Sequence, residues 1–190
     1  DACGVLARAA ARAGIPMVLV STDFVFDGQA ETPYPEEAPT SPQSVYGATK
    51  LAGEAQALAA HPAGAKVVRT QWLYGPRGSH FPHTMQRLAK ERDRLKVVSD
   101  QIGSPTSTLE LAPALWDVLI SGEPGIWHAA CSGECSWFDL AVATIEASEI
   151  EGVEVEPCST EEFPRPAARP AYSALDCSKL EGLRGKPMAP

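Results

Sequence analysis

This chain of 190 residues has no long apolar run and no excess of basic residues. Its longest apolar stretches, such as residues 15–20, are far shorter than the roughly 20 residues of a membrane-spanning helix. Lys and Arg number 16 against 24 Asp and Glu, which gives a formal net charge of −8. Nucleic acids and anionic membranes both require a basic face, and no secretion signal is visible at the N-terminus. We therefore predict a soluble globular protein without nucleic-acid or membrane partners.

Paired cysteines and a metal-binding cluster are also missing. The five cysteines are an odd number and form no C-x-x-C pair, which is typical of reduced thiols in the cytosol rather than of a disulfide framework. His80 and His83 lie close together, but no third ligand stands at a spacing that a zinc site would use. The sequence thus predicts a cytoplasmic protein without bound metal.

What the chain does have is an alternation of helical and extended segments. Residues 2–13 are rich in helix formers and end at Gly14, and residues 15–21 form a short apolar run typical of a strand buried on both faces. A helix at 44–60 and a strand at 66–70 follow. This order predicts an α/β fold with a doubly wound, Rossmann-like parallel sheet. Similar signals predict further helices at 81–91, 108–120, 136–148 and 178–183, and further strands at 95–98, 125–129 and 153–156.

Two proline-rich segments interrupt this pattern. Residues 27–43 contain four prolines, and we expect a long excursion over the surface without regular structure. Residues 163–170 are interpreted as an ordered loop, in which Arg165 and Arg169 could clamp an anion.

The end of the first predicted strand and the helix after it carry residues suited to carbonyl chemistry. Reduction of a ketone needs an acid that can donate a proton near neutral pH. A tyrosine ordinarily has a pKa of about 10, so a nearby cation is required, and Lys50 follows Tyr46 by one helical turn. A hydroxyl of Ser21 or Thr22 could hold the carbonyl oxygen at the sheet edge where ligands bind. The Tyr–Lys spacing alone is also found on solvated helix faces, and its context favours a site.

Six segments, in order along the chain, resemble those of dTDP-4-dehydrorhamnose reductases, which are extended short-chain dehydrogenases acting on nucleotide sugars. The segments are Ser-Thr-Asp-Phe-Val-Phe-Asp-Gly at 21–28, Pro-Tyr-Pro-Glu-Glu at 33–37, the stretch from Ser-Pro at 41–42 through Tyr-Gly-Ala-Thr-Lys-Leu-Ala-Gly-Glu at 46–54, Arg-Thr-Gln-Trp-Leu-Tyr-Gly at 69–75, Asp-Gln-Ile-Gly-Ser-Pro-Thr at 100–106 and Arg-Pro-Ala-Tyr-Ser-Ala-Leu-Asp at 169–176. Six matches in series, covering nearly the whole chain, are far more specific than any one of them.

The resemblance implies that Tyr46 donates the proton and that Lys50 both tunes it and hydrogen-bonds the nicotinamide ribose. Thr22 would position the 4-keto oxygen. The implied reaction is the NADPH- or NADH-dependent reduction of dTDP-4-dehydro-6-deoxy-L-mannose to dTDP-L-rhamnose, a step of dTDP-rhamnose biosynthesis.

The resemblance also implies a set of substrate-binding residues. Asp23 would lie beside Thr22 in the substrate pocket, and Trp72 would contact the sugar, although its size alone would suit a core aromatic equally well. Gln101 and Arg169 belong to segments that line the nucleotide-sugar site in the resembled family.

Some family features are absent from the sequence. The glycine-rich turn that would cradle the cofactor pyrophosphate is not found, and His80 stands where an Asn is common. We therefore expect a fragment, in which 1–78 is the C-terminal half of the dinucleotide-binding domain. Residues 79–190 would be mainly a substrate-binding lobe, with 100–129 partly returning to the Rossmann sheet.

Two alternative functions are compatible with the sequence. One is a non-catalytic regulatory homologue, since the fold also resembles the regulatory subunit of methionine adenosyltransferase. The other is a different nucleotide-sugar epimerase or reductase of the same superfamily. The sequence leaves the oligomeric state open, with a homodimer as one option.

Overall fold

The computed structural model describes residues 2–164 and 167–190, within which there are six α-helices and nine β-strands. The helices are α1 (Ala2–Ala13), α2 (Val45–Ala60), α3 (Phe81–Glu91), α4 (Thr108–Ser121), α5 (Trp137–Ala147) and α6 (Ser178–Arg184). The strands are β1 (Met17–Thr22), β2 (Ala65–Thr70), β3 (Leu73–Tyr74), β4 (Arg94–Val98), β5 (Ile102–Gly103), β6 (Thr106–Ser107), β7 (Gly125–His128), β8 (Cys135–Ser136) and β9 (Glu154–Cys158). A short 3₁₀ helix, Asp23–Val25, directly follows β1.

The main sheet consists of three parallel strands in the order β1–β2–β7. Successive residues of β2 point to opposite faces. Val68 packs in a core cluster that contains Leu111 and Val118 of α4, whereas Arg69 contacts Glu54 of α2. Helices therefore cover both faces of the sheet, which explains why all residues of β2 are buried.

A second layer of structure is built on the parallel pair β4–β9. Helices α3 and α5 pack together and enclose a separate apolar cluster with this pair. The buried members of the cluster are Met85, Ala89, Leu95, Val97, Ala141 and Ile145. A capping box formed by Ser136 and Asp139 fixes the start of α5, which places Trp137 at its first position.

The predicted α/β fold with a parallel sheet is confirmed. Every predicted helix and strand is present, with ends shifted by no more than two residues. The strand predicted from residue 15 begins only at Met17. The Ile15 N–H still donates back to the Ala10 carbonyl of α1, Pro16 has no N–H to donate, and Met17 is the first residue to donate toward the neighbouring strand, to the Gly64 carbonyl at 3.0 Å. The four two-residue strands β3, β5, β6 and β8 have no local sequence signal. The boundary predicted between residues 78 and 79 stays a prediction.

The expectation of a surface excursion for residues 27–43 is wrong in one respect. Tyr34 is only 7% exposed and stacks on Phe26 with ring centroids 4.2 Å apart. Its backbone pairs with the segment around Leu175. The segment lacks helix and regular strand, but its centre is part of the core. Tyr34 contributes a large apolar ring, and its hydroxyl donates a hydrogen bond to Asp27 Oδ1 at 2.7 Å.

Candidate active site

The three residues predicted to carry out catalysis lie around the carboxyl end of β1. Lys50 Nζ donates a hydrogen bond to the Val20 carbonyl oxygen at 2.7 Å. The Tyr46 ring makes an edge-on contact with Phe24, with centroids 5.6 Å apart. Thr22, between Val20 and Phe24, is thereby flanked by both contacts from α2. The structure brings the predicted set together at the sheet edge where ligands bind in open α/β folds.

The start of α2 is packed directly against the backbone that follows β1. Ser44 caps the helix, its Oγ accepting from the Gly47 N–H at 3.1 Å. A Cβ atom on Gly47 would lie 2.1 Å from the Phe24 carbonyl oxygen. Only glycine allows this approach, so the turn that carries Tyr46 is held close to the residue after Asp23. Tyr46 itself is 53% exposed, and its phenol is open to a ligand.

Asp23 is an acid held in the protein interior. It is 2% exposed, and Thr22 Oγ1 donates to its Oδ1 at 2.9 Å, while Oδ2 is buried without a hydrogen-bond partner among the described residues. Burial raises the pKa of Asp23 to about 6, and the neighbouring hydroxyls of Ser173 and Thr22 oppose that rise. A carboxyl group with this pKa can both accept and donate a proton near neutral pH.

A small pocket of about 240 Å³ adjoins the carboxyl end of β1. It contains all three of the more distant residues predicted to bind substrate, together with Phe24, which also contacts Tyr46. The residues lining it are Phe24, Trp72, Gln101, Trp137, Arg169 and Pro170. Phe24 therefore links the predicted catalytic set to the predicted substrate set.

Two tryptophans form one wall of this pocket. The rings of Trp72 and Trp137 are stacked, 3.7 Å between centroids and 13° between planes, and Phe81 lies 4.6 Å from Trp137. Trp72 adopts a φ of 47°, a left-handed conformation that is costly for a bulky residue. Backbone strain of this kind is characteristic of functional sites. The flat apolar wall is suited to the face of a deoxysugar.

The polar residues of the pocket are oriented by their neighbours. Gln101 Nε2 donates to Thr160 Oγ1 at 2.9 Å, and Asp100 accepts from the Thr160 N–H at 2.8 Å. Arg169 borders this pocket and also a larger one of about 490 Å³, which extends along β4. Arg165, the other half of the predicted anion clamp, lies outside the described residues.

His80 is the N-cap residue of α3. Its Nδ1 accepts from the His83 N–H at 3.4 Å, and the two rings stack with centroids 4.1 Å apart. In the described ranges no group of three or more His, Cys, Asp or Glu side chains is placed to hold a metal ion.

Sequence reasoning missed three residues of the site: Phe24, Phe81 and Trp137. Phe24 lies in the segment 21–28, where nothing in the residue pattern marks it as a pocket residue. Trp137 is far from Trp72 in the sequence, and only the capping box at Ser136 and Asp139 gave a local signal that a helix begins there.

Comparison with known proteins supports the relation suggested by the six segments. A family model described as the RmlD substrate binding domain matches residues 1–190. The chain is 46% identical over 179 residues to a dTDP-4-dehydrorhamnose reductase of Mycolicibacterium smegmatis, covering 93% of this chain and 54% of that protein. It is 48% identical over 186 residues to the dTDP-4-dehydrorhamnose reductase of Mycobacterium tuberculosis, covering 94% and 61%.

Solved structures give the same relation. The dTDP-4-dehydrorhamnose reductase of Clostridium acetobutylicum superimposes with a TM-score of 0.92 at 45% identity, covering 98% of this chain and 65% of that one. The enzyme of Bacillus anthracis, solved in complex with NADP, also gives 0.92, at 38% identity, covering 99% and 66%.

The chain spans 54% to 66% of the length of these relatives. Within the described residues, no helix is long and apolar enough to cross a membrane. The chain belongs to the family of the RmlD substrate binding domain, and its predicted membership of the dTDP-4-dehydrorhamnose reductase family is confirmed.

Proposed function

We propose that the protein reduces the 4-keto group of dTDP-4-dehydro-6-deoxy-L-mannose to give dTDP-L-rhamnose, with NADPH or NADH as the reductant. The observation that carries the proposal is the continuity of the site. Thr22, Tyr46 and Lys50 surround the end of β1, and Phe24 connects them to the pocket that contains Trp72 and the other predicted substrate residues. The names of the relatives support the same reaction.

The residues around Tyr46 suit a nicotinamide cofactor in their donor chemistry. The Lys50 ammonium has three N–H donors and gives one to Val20, which leaves two for ribose hydroxyls. The half-exposed Tyr46 phenol offers another donor on the same helix face. The Bacillus anthracis relative was solved with NADP. When bound, the reduced nicotinamide supplies a hydride to the carbonyl carbon.

The proton is supplied by the chain itself. Tyr46 donates its phenolic proton to the ketone oxygen as the hydride arrives, and the positive charge of Lys50 stabilises the phenolate that is left. Thr22 holds the ketone oxygen near Tyr46. In this structure the Thr22 hydroxyl donates its hydrogen to Asp23. When Asp23 is protonated, it donates to the Thr22 oxygen instead, and the Thr22 hydrogen is then available to the ketone oxygen of the substrate.

The substrate is bound by the pocket beyond Phe24. The stacked Trp72 and Trp137 give the deoxysugar an apolar surface. Arg169 borders both this pocket and the larger one along β4, and a guanidinium at that junction suits the diphosphate between sugar and nucleoside. A non-catalytic regulatory role is not favoured, since nothing in it requires Thr22, Tyr46 and Lys50 to be assembled.

A substrate panel tests the proposed activity. Full-length protein is supplied with NADPH or NADH and several nucleotide-linked 4-ketosugars, and cofactor oxidation and products are measured. We expect dTDP-4-dehydro-6-deoxy-L-mannose to give the highest kcat/KM and dTDP-L-rhamnose as product. If the cofactor is oxidised only with another ketosugar, the protein is a reductase of a different substrate. If the sugar changes configuration and no cofactor is consumed, the protein is an epimerase.

Two predictions about the intact protein accompany the reaction. A cytoplasmic location agrees with five cysteines that are all unpaired, and fractionation of cells would test it. A homodimer is testable by analytical ultracentrifugation of the full-length protein.

A further inference from the structure

Behind the catalytic residues lies a buried ion pair that the reaction itself does not use. Glu54 follows Lys50 by one helical turn and Tyr46 by two, so all three share one side of α2. The Glu54 carboxylate contacts the Arg69 guanidinium of β2, with Nη2 2.8 Å from Oε2 and Nε 3.2 Å from each oxygen. Both side chains are 2% exposed.

This pair connects α2 to the strand that ends in Thr22. Ser21, the residue before Thr22, donates its hydroxyl to Glu54 Oε1, and in the parallel sheet Ser21 lies beside Arg69. Lys50 binds the carbonyl of the preceding residue of β1, Val20. Two successive turns of α2 are thus fastened to two successive residues of β1.

Arg69 also reaches the proline-rich segment 27–43. Its Nη1 donates to the Glu36 carbonyl oxygen at 3.4 Å, and its guanidinium lies 5.1 Å from the centroid of the Phe26 ring. One side chain therefore joins β2, α2 and residues 27–43.

Stability alone is a poor explanation for such a pair. The desolvation cost of two buried charges offsets most of their attraction, and apolar pairs of similar volume are often equally stable or more so. What an apolar pair lacks is direction, because dispersion contacts tolerate sliding whereas a forked hydrogen-bonded pair fixes one geometry. A displacement of reacting groups by about 1 Å can lower a rate by about 100-fold.

We propose that Glu54 and Arg69, with Ser21, are positioning residues that set where α2 lies along β1 and hence where Tyr46 stands relative to Thr22. The role in turnover rests on the proposed reductase activity. The role in positioning does not, since it is a statement about the contact between α2 and β1.

The test uses two kinds of variant in the full-length protein. Glu54→Asp keeps the charge but shortens the side chain by one methylene, and Glu54→Leu combined with Arg69→Met replaces the pair by apolar groups. Both are expected to unfold near the wild-type temperature. We expect kcat to fall by about tenfold or more while the KM for the nucleotide sugar changes by less than about threefold.

A matched control removes another ion pair. Arg184 and Asp117 join α6 to α4 at 2.9 Å, and neither helix carries a predicted site residue, although Asp117 is more exposed than either member of the Glu54–Arg69 pair. Asp117→Leu combined with Arg184→Met is expected to leave kcat unchanged, so a loss of rate specific to the Glu54 and Arg69 variants cannot be attributed to deletion of an ion pair as such.

Amide hydrogen exchange supplies a readout that is independent of catalysis. We expect residues 45–51 to exchange faster in the Glu54 and Arg69 variants, with no change in α4. If the wild-type protein fails to reduce any ketosugar, the proposed function is wrong and exchange alone decides the positioning role. Should the double variant not fold, Glu54→Asp decides. A folded Glu54→Asp protein with wild-type kcat and wild-type exchange at 45–51 overturns the proposal.

Discussion

Replacement of Tyr46 by Phe should lower kcat by about 100- to 10,000-fold, the range that a positioned general acid contributes. In the proposed reaction the ketone oxygen receives the phenolic proton, and Glu54, the other acid on this side of α2, is buried in its ion pair with Arg69. Phe preserves the edge-on contact with Phe24. Since the side chain is half exposed, the free energy of unfolding should change by less than about 0.5 kcal/mol. Steady-state kinetics and denaturant unfolding of the full-length protein measure both quantities.

Tyr34→Phe is the matched control for this exchange. The Tyr34 hydroxyl donates to Asp27 at 2.7 Å and accepts from the Gln29 and Ala30 N–H groups. Its loss should reduce stability by about 1–2 kcal/mol with little effect on kcat, which is the reverse of the pattern for Tyr46. A Tyr46→Phe protein with undiminished turnover would contradict the assignment of the proton donor. If the protein is a regulatory subunit instead, the exchange will leave activation of its partner unchanged.

Asp23→Asn should make the protein more stable above pH 6 and less active. Burial raises the pKa of Asp23 from 3.8 to about 6, so the folded protein binds this proton more tightly than the unfolded chain. The contribution of Asp23 to stability is therefore fully present below about pH 4 and is lost as pH rises through about 6. Above that pH the buried carboxylate costs about 1–3 kcal/mol, which Asn removes while keeping an oxygen for Thr22.

The gain in stability should disappear in acid, because protonated Asp and Asn are both neutral. Turnover should fall roughly tenfold or more at every pH, since Asn cannot exchange a proton with Thr22. Denaturant unfolding between pH 4 and 8, with kinetics at the same pH values, gives both results. A variant that is less stable than wild type at pH 8 would show that Asp23 does not carry a desolvation cost.

Asp27→Asn removes a carboxylate whose pKa is shifted in the opposite direction from that of Asp23. The hydrogen bond from the Tyr34 hydroxyl holds the pKa of Asp27 below its usual value, so its stabilising effect is present at neutral pH and is lost in acid. We expect this variant to be less stable than wild type at pH 8. Opposite signs for the two aspartates would tie the Asp23 effect to burial.

The parts of the fold that could be predicted are those with a local signal. Residues 15–21 read as a buried strand because they are continuously apolar, and Lys50 could be placed beside Tyr46 because helical spacing is fixed. Within the predicted catalytic set only the Tyr46–Lys50 spacing is local, whereas the contacts of these two residues with Phe24 and Val20 join α2 to the end of β1 and the 3₁₀ helix after it.

The parts that could not be predicted depend on contacts between distant segments. Nothing near Tyr34 indicated that its ring would enter the core, since its partners include Leu175. The stacking of Trp137 on Trp72 could not be predicted for the same reason. The Glu54–Arg69 ion pair joins a helix to the following strand, and no residue spacing in the sequence indicates such a contact. Two-residue strands such as β3 owe their conformation to their partners alone.

Transfer of deuterium from the cofactor tests the central claim most directly. Full-length protein is incubated with dTDP-4-dehydro-6-deoxy-L-mannose and a nicotinamide cofactor deuterated at the transferable position, and the product is examined by mass spectrometry and NMR. The proposed site predicts one deuterium at C4 of the sugar and a product identical to dTDP-L-rhamnose. A sugar product without deuterium, or with deuterium at another carbon, would contradict the assignment of this site as a 4-keto reductase.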